Sequence, residues 1–378
     1  MKIREIRIAG LRGATPRGGW TMELKPESSL HTVVAVHSDD GRVGMGSVFT
    51  HEALVAGAME VLEELIIGRE FSSPTAMTEE LHQHTFWMGR GGSITHAISG
   101  INIALWDLAG QVWGAPVSHL LGGNHRDHVR PYASLLMDEP ARLRENLLAL
   151  SAQGFAAFKI GWGKFGREDA RMDELLVRTA RETIGDDAIL AVDAGGSDGF
   201  WRNGVRWALD TSRMLSDHRV AWFEEPLNPD DIDGFVRLTA ASAVPISGGE
   251  TYTRRQAFTP FVDRAAFDIV QPDVTKVGGI DEMMSIGRRA EDSGMTLIPH
   301  GWNTAIGLAA DLHAAAALRF TDLVEYCTGS AYIDDLVVGG WVLDADGRLA
   351  VPNAPGLGIE WDREALLRYT GGVDLLSV

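Results

Sequence analysis

Residues 188–195 read AILAVDAG and residues 220–227 read VAWFEEPL. Each is a short apolar run of β-forming residues that ends on an acid, and the stretch between them has helical spacing of apolar residues. An unpaired carboxylate is expensive to bury, so an acid that directly ends an apolar strand needs a specific reason. The same unit recurs outward in both directions. Lys159 lies in AAFKI, Glu250 ends ISGGE, Asp273 ends IVQPD, His300 ends LIPH and Glu325 lies in LVEY. By subtraction, the steps from Lys159 through Asp193, Glu224, Glu250, Asp273 and His300 to Glu325 are 34, 31, 26, 23, 27 and 25 residues. Each step is one strand plus one crossover helix.

This alternation predicts strands near 129–135, 155–161, 188–193, 220–225, 245–249, 267–271, 295–299 and 322–326. Eight strands in strict alternation favour a closed α/β structure, a (β/α)-barrel of the TIM type, over an open sheet. In a barrel every one of the strand-end residues reaches the same C-terminal rim, where such folds carry their active sites.

The first 125 or so residues follow another pattern. Alternating runs at Met1 to Gly10 and Leu30 to Val48 enclose the turn Asp39-Asp40-Gly41, and helical spacing follows over 52–68, 74–84 and 94–112. The residues after Leu343 return to a turn-rich β pattern. The expected organisation is therefore an N-terminal α+β domain over 1–125, a barrel over 126–342 and a C-terminal segment, 343–378, that folds back onto the first domain. A barrel alone takes roughly 250 residues, and the chain has 378.

Composition narrows the partners. The chain has 45% hydrophobic and 23% charged residues, as ordered globular proteins do. Its formal charge of -18 repels nucleic acid and anionic membrane surfaces. A small anionic substrate would need a local cation, which a divalent metal can supply. Cys327 is the single cysteine and MKIREIRIAG has no apolar signal core, so the expected location is the reducing cytoplasm.

Asp193, Glu224 and Glu250 end three consecutive strands and would converge on one point. A lone acid there is commonly a helix cap, which does not account for three together. Hard oxygen donors without clustered His or Cys select Mg2+, with Mn2+ possible. His300 and Asp273 end adjacent strands, so the carboxylate can fix one imidazole nitrogen and leave the other to the cavity. Lys159 would be either a base or donor near a metal, or the ion-pair partner of a rim carboxylate. The glycine-rich MGRGGS at 88–93 has neither the strand nor the lysine of a phosphate loop and reads as a turn.

In this order, FEEP, GGE, QPD followed by KVGG, and PH resemble the enolase superfamily, and within it the mandelate racemase-like group. The resemblance spans nearly the whole chain and implies a barrel with an N-terminal capping domain. It implies Asp193, Glu224 and Glu250 as magnesium ligands, His300 with Asp273 as an acid–base dyad, and Glu325 as a hydrogen-bond donor or carboxylate partner to the developing enolate. Superfamily sites use a Lys or His base with metal stabilising the ene-diolate. It also implies that the loop carrying Gly18-Gly19 and Trp20 closes over the barrel mouth; Trp302 and Asn303, which follow His300 closely, would either touch substrate or pack under that loop. Homo-oligomers are common in such families.

Two departures matter. The family commonly has two lysines spaced one apart at the second barrel strand, whereas here the run is Lys159-Ile160-Gly161. The family often has Asn two residues after its first acidic ligand, whereas here it is Gly195. The two glycines suggest extra room for a polyhydroxylated substrate. A racemase needs a base on each face, and only His300 is offered, with Lys164 the one residue that could swing back. The expected reaction is dehydration of a sugar acid. The alternatives are a cycloisomerase that opens a sugar-acid lactone or anhydro ring, then a racemase or epimerase, and, outside enzymes, an inactive barrel that only binds.

Overall fold

The computed structural model describes residues 1–14 and 30–377, so Gly18, Gly19 and Trp20 lie outside the described residues. The N-terminal sheet is an antiparallel meander of β1 (Ile3–Gly10), β2 (His31–Ser38) and β3 (Val43–Phe49), with the Asp39–Gly41 turn where the sequence places it. Helices α1 (Glu52–Ile66), α2 (Pro74–His84) and α3 (Ser93–Trp113) cover one face, and the short α4 (Val117–Leu120) leads out. Gly44 and Gly46 of β3 let α3 pack directly on the strand. A Cβ on Gly46 would stand 1.9 Å from the Gly100 carbonyl oxygen.

From residue 128 the chain alternates strictly. The strands are β4 (His128–Leu136), β5 (Ala157–Gly161), β6 (Ile189–Asp193), β7 (Phe223–Glu224), β8 (Ile246–Gly248), β9 (Ile269–Val270), β10 (Thr296–Leu297) and β11 (Leu323–Cys327). The intervening helices are α5 (Pro140–Ala152), α6 (Ala170–Ile184), α7 (Val205–Asp217), α8 (Ile232–Thr239), α9 (Arg254–Asp263), α10 (Ile280–Asp292) and α11 (Ala305–Ala317), and α12 (Ala331–Asp334) follows β11. All eight barrel strands are parallel, and their order runs β10-β9-β8-β7-β6-β5-β4-β11. Register explains the convergence of the site, because Gly161 pairs with Asp193 and Asp193 with Glu224, so successive strand ends stand level. Between β10 and β11 the seam is closed by a side chain: the Gly301 N–H donates to Glu325 Oε2 at 2.6 Å.

The last residues return to both parts of the molecule. β12 (Leu349–Ala350) pairs antiparallel with the start of β4, and α13 (Arg363–Tyr369) follows it. The Tyr369 carbonyl accepts from the Arg12 N–H, and Arg7 donates to the Ser377 carbonyl. Asp107, buried on α3, takes the Met45 N–H of β3 at 2.9 Å and the Leu357 N–H of the C-terminal segment at 2.8 Å. No helix among the described residues is long and apolar enough to cross a membrane.

Candidate active site

The ends of β5 to β11 deliver the strand-end side chains to one buried place. One carboxylate oxygen from each of Asp193, Glu224 and Glu250 lies within 4.8 Å of the others. Burial, Glu224 and Glu250 push the Asp193 carboxyl well up, because three like charges share a dry site. A cation between them relieves that repulsion, and an all-oxygen donor set fits a hard divalent ion.

Lys159 is spent within this cluster. Its ammonium stands 2.5 Å from Glu224 Oε1, 3.0 Å from Glu325 Oε1 and 3.9 Å from Asp193 Oδ2. Burial opposes its charge, but Glu224 and Glu325 outweigh burial and hold the lysine protonated. Of the two sequence readings, the ion pair is the arrangement found. Glu325 is correspondingly ionised: burial is outweighed by Lys159, His300, Ser134 and the Gly301 N–H. Its Oε2 accepts the Gly301 N–H at 2.6 Å.

His300 Nδ1 is 2.7 Å from Asp273 Oδ2, and Thr275 donates its N–H (2.7 Å) and its hydroxyl (2.5 Å) to Asp273 Oδ1. Burial works against the Asp273 charge, yet the His300 ring and Lys276 help keep its pKa at about 2. His300 Nε2 points to the cavity, 3.3 Å from Glu250 Oε2. Burial disfavours its charge, but Glu250, Glu325 and Asp273 push it up to about 9. Phe49, the last residue of β3, lies nearly parallel to the imidazole at 6.4 Å, so the N-terminal sheet covers the dyad. The Lys276 ammonium sits 4.7 Å from the centre of the same Phe49 ring.

The cavity over these groups is about 560 Å³ and is lined by Lys159, Asp193, Glu250, His300 and Glu325 on one side and by Phe49, Met137, Trp162 and Phe200 on others. A larger neighbouring cavity of about 740 Å³ shares Leu135, Leu136, Met137 and Trp302 but contains none of the strand-end ligands. The chemistry therefore belongs to the smaller one. Trp302 borders both.

Three sequence expectations change. Asn303 does not line the cavity; its amide packs on α11, where a Cβ on Gly307 would meet it at 2.5 Å and Asp311 lies beside it. Lys164 faces outward to Glu139 at 2.5 Å and Glu168 at 3.4 Å, with its side chain 39% exposed. The two glycines do not leave free volume. A Cβ on Gly195 would stand 2.6 Å from the indole of Trp162, and one on Gly161 would stand 2.6 Å from Asp193 Cβ.

Trp162 is the residue that sequence reasoning missed. Its backbone is left-handed at φ 58°, an unfavourable setting for a residue with a Cβ. Its main-chain N–H bonds the Asp193 carbonyl at 3.0 Å, and its indole N–H donates to Asp193 Oδ2 at 3.0 Å. Asp193 Oδ1 takes the Gly195 N–H at 2.7 Å, so both ligand oxygens are oriented. Gln271 (2.7 Å) and Trp222 (3.2 Å) do the same for Glu224 Oε2. Strand periodicity could have found these two, since Trp222 precedes Glu224 by two and Gln271 precedes Asp273 by two. Glu225 adds strain, with φ 41°, a buried side chain and an Oε2 without a partner among the described residues. Such outliers concentrate at functional sites.

Comparison with known proteins agrees with this geometry. Residues 142–365 match the family described as enolase C-terminal domain-like. Residues 24–122 match the mandelate racemase / muconate lactonizing enzyme N-terminal domain. The chain is 30% identical to D-galactarolactone cycloisomerase of Agrobacterium fabrum over 98% of this chain and 99% of that protein. It is 32% identical to arabinonate dehydratase of Saccharolobus solfataricus over 85% of this chain and 86% of that protein. The crystal structure of the 3,6-anhydro-D-galactonate cycloisomerase from Zobellia galactanivorans superposes with a TM-score of 0.87 at 29% identity, covering 98% of this chain and 99% of that one. Two family matches in sequence order, over a capping sheet and a barrel rim of acids, place this chain in the enolase superfamily, in its mandelate racemase / muconate lactonizing enzyme family.

Proposed function

We propose that this protein removes the proton α to the carboxylate of a sugar acid and expels the oxygen on the neighbouring carbon, as a dehydratase forming a 2-keto-3-deoxy acid. The observation that carries the reading is the one-sided supply of protons. His300 with Asp273 faces the cavity on one flank. Where a second base would stand there are Gly161 and the indole of Trp162. Racemisation needs a base on each face, while elimination needs only one group that takes a proton and returns it.

The α proton passes to His300 Nε2 as the α C–H pair becomes the new carbon–carbon double bond, the β C–O bond breaks, and the leaving oxygen takes the proton back from His300. The enol then ketonises. Asp273 fixes the ring so that Nε2 faces the substrate, and Lys159 holds positive charge beside the carboxylates. Asp193, Glu224 and Glu250 would hold a magnesium ion, or manganese, which when bound would supply positive charge that stabilises the electron-rich enolate. Burial of the ligands keeps that charge unscreened.

A second reading keeps the same steps with a ring oxygen as leaving group. A galactarolactone cycloisomerase at 30% identity and an anhydrogalactonate cycloisomerase at 29% identity both align over nearly the full length of either chain, which supports it. The free, buried Cys327 fits a cytoplasmic enzyme, which we take to be a homo-oligomer. Purified enzyme with Mg2+ incubated with aldonic acids, aldaric acids and their lactones separates the readings. A 2-keto-3-deoxy product from open-chain acids supports dehydration. Product from lactones or anhydro acids alone replaces it with ring opening, and product from none rejects both.

A further inference from the structure

The wall of the cavity away from the dyad is made by the loops after β5 and β6, and Arg167 and Asp198 face each other across it. Asp198 Oδ1 accepts the Phe200 N–H at 2.9 Å, and Oδ2 accepts from Arg167 at 3.0 Å. Each oxygen retains a lone pair. Arg167 is committed elsewhere: it donates to the carbonyls of Phe165 (3.0 Å), Ala194 (3.1 Å) and Gly195 (3.4 Å) as well as to Asp198. Its guanidinium also lies 5.0 Å from the Trp201 ring centre and 5.6 Å from that of Trp162. A carboxylate could take the guanidinium's fork only by breaking these contacts.

Among the described lining residues away from the dyad the cations are Lys159 and Arg167, and Lys159 is bound to Glu224 and Glu325. The remote wall therefore presents a fixed anion with open acceptor positions. Burial opposes the charge on Asp198, but the Phe200 N–H and Arg167 keep it ionised. Sugar hydroxyls are donors and fit such a wall. A second carboxylate meets like charge.

We propose that Asp198, braced by Arg167, determines specificity by accepting hydroxyls of the substrate remote from its reacting carboxylate and excluding a second one. The substrate class is then a sugar acid with a single negative charge, an aldonic acid or a lactone or anhydro form, rather than an open-chain diacid. This rests on the proposed sugar-acid reaction and names its substrate class.

The test compares D-galactonate with galactarate, which share their hydroxyl pattern and differ in one terminal carboxylate, on wild type, D198N and D198S with Mg2+ present. Both kcat/KM and calorimetric binding are read. Wild type is expected to favour galactonate by at least about tenfold in kcat/KM or, if neither acid is turned over, in Kd. D198N and D198S are expected to shrink that preference about tenfold, chiefly through KM or Kd. Equal or tighter use of galactarate by wild type, or a preference unchanged in both folded variants, overturns the proposal. Absence of turnover with the binding preference intact counts against the reaction instead, and leaves the charge selection supported.

Discussion

The two flanks of the cavity treat protons by opposite rules. At the ends of β9 and β10, His300 is held through one nitrogen by Asp273 and offers the other to the cavity. At the end of β5, Lys159 is clamped between Glu224 and Glu325, Gly161 has no side chain, and the indole N–H of Trp162 is bonded to Asp193. One flank can pass a proton on and the other holds charge still. The difference favours chemistry in which one group serves both halves of the reaction.

Removing the mobile flank should have the largest effect. His300→Asn is expected to lower kcat by about 10²–10⁴-fold, the usual contribution of a positioned acid–base group, with Mg2+ binding retained. Residual activity above a tenth of wild type would move the proton chemistry elsewhere. On the fixed flank, Lys159→Met leaves buried carboxylates without their cation. It should cost about 3–5 kcal/mol of stability in chelator, measured by denaturant unfolding.

That loss should be partly restored by metal, which separates Lys159 as a charge from Lys159 as a base. For wild type itself, Mg2+ at 100 times its Kd should stabilise by about 2.7 kcal/mol over chelated protein, read as a rise in Tm. No rise would remove the cation from the site. The mildest change is Trp162→Phe, which keeps the ring and deletes the N–H. Metal affinity should fall about tenfold, as when other groups that orient a ligand are lost. An unchanged Kd would reduce Trp162 to packing.

Much of the mobile flank and the ligand set could be read from the sequence, because a parallel barrel converts strand-end position into place. The residues Asp193, Glu224, Glu250, Asp273, His300 and Glu325 each follow an apolar run, and level register brings them together. The fixed flank could not be read in that way. Missing side chains at Gly161 and Gly195 look like free volume, yet Asp193 closes on the first, and the second is filled by the indole of Trp162, whose left-handed backbone turns it back onto the strand. Asn303 misled for a related reason. Proximity to His300 along the chain does not say which way a loop residue faces, and this one faces α11.

Asp107 has a consequence for the order in which the molecule can be completed. Its two N–H donors lie 62 residues before it and 250 residues after it. During synthesis, the first-made sheet and α3 emerge long before Leu357 exists, and one oxygen of a buried carboxylate must wait for it. Domains of growing chains tend to fold as they appear. Here the hydrogen bonds of a buried carboxylate in the first domain are complete only with the Leu357 segment in place, so the cap over the active site draws part of its core from residues beyond the barrel.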